Sequence, residues 1–96
     1  MTTGDLERVA EMVRAAGFAV TVEHPGCIVI PDAAGAWWWW GTANGYWDAD
    51  RCTQNGEPDG GQLRSSPAVY AEESDPAIVA GAIVRAMQGN RDYLGG

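Results

Sequence analysis

Residues 36–47 read AWWWWGTANGYW, and the four consecutive tryptophans Trp37 to Trp40 constrain the fold more than any other stretch. If the run is a β-strand, successive side chains point to opposite faces, so two indoles must leave whichever face packs on the core. Asn44-Gly45 follows at once. Both of these residues tolerate positive φ, which marks a tight hairpin turn.

Hydrophobic spacing sets further elements around this strand. Leu6, Val9, Val13 and Ala16 form one stripe at the helical period, with Glu7, Arg8, Glu11 and Arg14 on the solvent side, Thr2 or Thr3 as cap and Gly17 as stop. FAVTVEH (18–24) alternates as a half-buried strand does, Pro25-Gly26 makes a turn, and CIVIP (27–31) forms a second strand. The tryptophan run is the third strand, and YWDAD (46–50) is a short fourth strand or an extension. Residues 51–73 are turn-rich with few apolar positions, which predicts a mobile loop with a short strand at Ala68 to Ala71. Ser74-Asp75-Pro76 starts a second helix, with Asp75 as cap and an apolar stripe of Ile78, Val79, Ala82, Ile83, Ala86 and Met87 ending before Gly89. The expected fold is α+β: an antiparallel three- to four-stranded meander with the N- and C-terminal helices packed on one face, in a single domain 1–96.

Parity then assigns faces. Even-numbered turns would pair Val22 with Val29, Val29 with Trp38 and Trp40 with Ala49, so the helix face collects Phe18, Val20, Val22, Cys27, Val29, Trp38, Trp40 and Trp47. The opposite face collects Ala19, Thr21, Glu23, Ile28, Ile30, Trp37, Trp39, Tyr46, Asp48 and Asp50. A single odd turn would move a strand's residues to the other side. Each tryptophan carries about 150 to 250 Å² of surface, worth several kcal/mol at roughly 25 cal/mol per Å². Trp37 and Trp39 therefore need cover from the 51–73 loop, a second copy or a partner.

The chemistry expected elsewhere is sparse. Thirteen acidic residues against six arginines and no lysine leave a formal charge of −7, which repels nucleic-acid phosphate and anionic membrane. No apolar run is long enough for a membrane span or secretory signal, so a cytoplasmic protein with Cys27 and Cys52 as free thiols is expected. His24 is the single histidine and sits in no nucleophile motif. Asp48, Asp50, Asn55 and Glu57 fail as a calcium loop, because Cys52 stands where an oxygen ligand belongs and Thr53 where glycine belongs. Asp48 and Asp50, two apart on one strand, are not the opposed acid and base of a glycosidase. GEPDGG lacks the GK[ST] of a phosphate cradle. No catalytic residue, cofactor or metal ion is expected.

Two resemblances follow. The helix–three strands–helix order resembles the double-stranded RNA-binding domain, and HPG at 24–26 falls where that family turns between strands. That family's second helix opens with phosphate-binding lysines, whereas this chain has EESDPAIVAG, with Glu72, Glu73 and Asp75, so RNA binding is not implied. WWWWGTANGYW and DPAIVAGAIVRAM together are similar to stretches of small αβββα-type proteins of actinobacterial phages, over roughly a third of the chain. That resemblance implies expression inside a bacterial host and a host-protein target.

The function expected is therefore non-enzymatic binding of a protein, either a second copy in a homodimer or a host factor. Trp37, Trp39 and Tyr46 would be anchors, Ile28 and Ile30 their apolar surround, and Asp48 and Asp50 a rim selecting a basic partner. An acidic decoy occupying a nucleic-acid site on a host enzyme is the alternative, and simple sugar binding on the tryptophans a third.

Overall fold

The structure, a computed structural model, describes residues 3–23, 26–31, 35–53, 55–62 and 68–95. Chain order is α1 (Thr3–Ala15), β1 (Thr21–Glu23), β2 (Cys27–Pro31), β3 (Trp37–Ala43), β4 (Tyr46–Cys52), β5 (Pro58–Gln62) and α2 (Pro76–Gly95). The strands form one antiparallel sheet in sequential order, β1-β2-β3-β4-β5, and the helices pack on each other and on one face of it. The expected α+β meander is the observed fold.

Local chemistry explains the helix ends. Gly17, at φ 101°, donates its N–H to Arg14 O at 2.9 Å and stops α1, since a glycine enters the left-handed region without a Cβ penalty. The Arg14 side chain then reaches over to donate from Nε and Nη2 to Val20 O at 3.1 and 2.9 Å, which ties the end of α1 to the approach to β1. Asp75 caps α2 by accepting the Ala77 N–H on Oδ1 at 2.9 Å, and Pro76 occupies the first helical position.

Leu6, Val9, Ala10 and Val13 of α1 and Val79, Ala80, Ala82, Ile83 and Met87 of α2 enclose a core with Trp38, Trp40, Trp47 and Ala49 of the sheet. Trp40 Nε1 donates to Met87 Sδ at 3.4 Å, so the central strand is joined to α2 by a hydrogen bond as well as by packing. Ala16 and Ile78, expected on the apolar stripes, are exposed instead. α2 also continues past Gly89 to Gly95. A single exposed glycine costs a helix only about 1 kcal/mol, too little to end one by itself. Among the described residues no helix is long and apolar enough to cross a membrane.

Register corrects the placement of β2. Glu23 pairs with Cys27 and Pro31 with Trp37, which leaves three residues in the first turn and five in the second, both odd. Each odd turn inverts the face of the strand that follows it. Two inversions cancel for β3, so Trp38 and Trp40 remain on the helix face as expected, while β2 alone is reversed. Ile28 stands opposite Trp40 and Ile30 opposite Trp38, and both isoleucines are 0% exposed in the core. They are not part of the outer face; Cys27 and Val29 take their place there.

Part of the 51–73 segment, expected to be a mobile loop, is strand among its described residues. Arg51 and Cys52 extend β4, and Pro58–Gln62 pairs with β4 at Asp50 and Cys52 as an edge strand, where a proline is tolerated. Residues 69–71 continue along the same edge. Trp47 N–H donates to Val69 O at 2.8 Å, Ala71 N–H to Gly45 O at 2.9 Å, and Tyr46 bridges Tyr70. The short strand expected at Ala68 to Ala71 is thus a single bridge.

Candidate protein-binding face of the sheet

Alternation along β3 and β4 builds the face turned away from the helices. Trp37 lies between Pro31 and Cys52, Trp39 between Val29 and Asp50, Gly41 faces Asp48 and Ala43 faces Tyr46. The β3–β4 register follows from the two-residue turn, in which Asn44 and Gly45 take φ of 54° and 85°. Trp37, Trp39, Tyr46, Asp48 and Asp50 therefore share one face, as expected. Ile28 and Ile30, buried beneath it, do not reach it.

Trp39 is covered in part by its own chain. Between β4 and β5 the backbone closes a tight turn: Thr53 N–H donates to Glu57 O at 2.9 Å, and Gly56 N–H to Thr53 O at 3.0 Å. Gly56, at φ 84°, lies on the indole, where an added Cβ would meet Trp39 Cζ2 at 3.1 Å. Trp39 is half-buried rather than open, and so is Trp37. The indole Nε1 of Trp39 is shut off from solvent and has no acceptor among the described residues.

The exposed aromatic surface lies beyond Trp39. Tyr46, 45% exposed, stacks on Tyr70, 58% exposed, with ring centroids 5.2 Å apart and planes at 28°. Hydrophobic pattern does not single out Tyr70, and the signal that could find it is its place in Val69-Tyr70-Ala71, a short extended stretch able to lie along β4. Beside the tyrosines, the side chains of Asp48 and Asp50 are exposed, Asp48 turning Oδ1 to accept its neighbour Ala49 N–H at 2.9 Å.

Between Trp39 and the carboxylates lies a half-open hollow of about 300 Å³, with Cys27, Gly41, Gly56 and Pro58 among its walls. Among the described residues no three of histidine, cysteine, aspartate and glutamate are grouped as a metal site requires. His24 lies outside the described residues. No family model matches the chain, and no curated protein or solved structure matches it either.

Proposed function

We propose that this protein is a non-enzymatic binding protein that docks a basic protein partner on the outer face of its sheet. The observation that carries this reading is the stacked Tyr46–Tyr70 pair, exposed beside Asp48 and Asp50 on the side away from both helices. Tyrosines in a ring of charge have the composition of an interface centre and rim, where aromatic side chains supply binding energy and carboxylates select the partner. Trp37 and Trp39 serve as the partly covered floor behind them.

Charge argues for a partner other than a second copy. In a two-fold homodimer the same patch meets itself, so Asp48 and Asp50 would be brought into one interface with a second pair of carboxylates, on a chain already at −7. A basic surface turns that repulsion into attraction.

A photo-crosslinking residue placed at Ala43, on the tyrosine side of this face, tests the reading against the same residue placed at Glu7 on α1. In cells producing the protein, Ala43 is expected to give a discrete adduct with another protein and Glu7 none. Equal adducts from both positions, none from either, or an adduct from Ala43 that is the protein's own dimer would overturn it.

A further inference from the structure

The hollow beside Trp39 exists because position 41 has no side chain. Gly41 stands between Trp39 and Ala43 on the outer face of β3, directly across from Asp48, and a Cβ built there would meet only Cys27 Sγ, at 3.6 Å. Any larger residue at 41 would project into the space that Trp39, Asp48, Asp50 and Pro58 enclose. At about 300 Å³ the space sits at the lower limit for ligand pockets. It has room for one long side chain.

The walls define what that side chain is. Asp50 faces Trp39 and Asp48 faces Gly41, so two exposed carboxylates stand about 7 Å apart along one strand, bordering an indole, with no basic residue lining the hollow among the described residues. Among the described residues no third histidine, cysteine, aspartate or glutamate joins the two carboxylates as a metal site requires. A guanidinium meets the same walls differently: its planar fork bonds carboxylates bidentately, it sheds water more readily than an ammonium, and it stacks on aromatic rings. We infer that the hollow receives one arginine side chain from the docked partner, its stem along Trp39 and its guanidinium held by Asp48 and Asp50. This inference rests on the protein-binding reading above and gives it a chemical specificity.

The test titrates the full ¹⁵N-labelled chain with a blocked five-residue peptide carrying one central arginine, alongside peptides with lysine or with uncharged citrulline at that position. The arginine peptide is expected to shift the Trp39 indole N–H and the amides of Gly41, Asp48 and Asp50, the lysine peptide to bind several-fold more weakly, and the citrulline peptide to give no shift at equal concentration. Gly41→Val fills the hollow with a residue suited to a strand and should abolish the response. Should that variant not fold, Gly41→Ala, whose Cβ has ordinary contact distances, and the double variant Asp48→Asn with Asp50→Asn decide the matter, each by a loss of about tenfold or more. An equal response to citrulline, a response that survives these substitutions, or shifts confined to another surface would overturn the inference. If the arginine peptide fails while the Ala43 adduct stands, only the arginine site falls; if both fail, the docking face falls with it.

Discussion

The backbone at Gly56 rests against the indole of Trp39, so closely that a Cβ there would stand 3.1 Å from Cζ2 and 3.4 Å from Cη2. This contact is how the chain shelters part of the tryptophan that alternation turns away from the helices. It requires glycine twice over, once for the space and once for the φ of 84°.

Gly56→Ala is therefore expected to destabilise the fold by about 2 kcal/mol or more, since a left-handed conformation alone costs an L-residue roughly 1 to 2 kcal/mol and the contact adds to it. Gly35 is the control: its φ is 85° but nothing lies within 4 Å of a built Cβ, so Gly35→Ala should lose the backbone share only. Urea unfolding with unchanged m-values measures both. Equal losses would show that the Trp39 contact contributes nothing.

The reversed face of β2 gives a second prediction. Ile30→Asn places an amide in the core opposite Trp38 and should prevent folding or cost about 3 kcal/mol or more, whereas Asp50→Asn on the outer face should alter stability by less than about 0.5 kcal/mol. Circular dichroism melts of the two variants check this. A well-folded Ile30→Asn protein would return Ile30 to the outer face.

Those two residues also mark what was legible in the sequence. The helix stops and starts at Gly17 and Asp75-Pro76, the Asn44-Gly45 hairpin and the division of Trp38 and Trp40 from Trp37 and Trp39 depend on chemistry within a few residues, and each can be read from the chain. The face of β2 depends on whether two turns hold odd or even numbers of residues, and composition does not count them. Because both are odd, the inversion cancels at β3 and is confined to β2, where Ile28 and Ile30 exchange faces with Cys27 and Val29. β5 is held by backbone pairing, and PDGGQ has no apolar alternation to announce it. Tyr70 reaches the candidate face through the single bridge to Tyr46, 24 residues away in sequence; the local pattern marks 68–71 as extended but does not say what it pairs with.

Two buried indoles on the helix face differ in one respect. Trp40 Nε1 donates to Met87 Sδ, while Trp47 Nε1 is buried with no acceptor among the described residues. Replacement by phenylalanine removes similar volume from each site. Trp40→Phe also removes a hydrogen bond, and Trp47→Phe removes an unsatisfied donor whose burial is itself unfavourable by about 1 to 3 kcal/mol. Trp40→Phe should therefore be the more destabilising by about 1 kcal/mol or more in paired denaturation curves. The reverse order would mean that Trp47 has an acceptor in solution.

Salt separates an aromatic-anchored interface from the acidic decoy of a nucleic-acid site. Raising ionic strength from about 0.1 to 1 M shortens the Debye length from about 10 to 3 Å. A decoy held by many dispersed carboxylates would lose its partner steeply over that range. On the outer face, Tyr46 and Tyr70 would supply apolar area that salt does not screen, and Asp48 and Asp50, which line one hollow, would contribute close contacts near one point. The adduct formed from a crosslinker at Ala43 in cell extract is thus expected to fall by no more than about tenfold across the range, most of the loss disappearing in Asp48→Asn with Asp50→Asn. Tyr46→Ala and Tyr70→Ala should each reduce the adduct at every salt concentration, and the double variant should do little more than either alone, because the two rings form one stacked surface. Steep salt dependence with indifference to both tyrosine variants would instead assign the partner to the dispersed carboxylates.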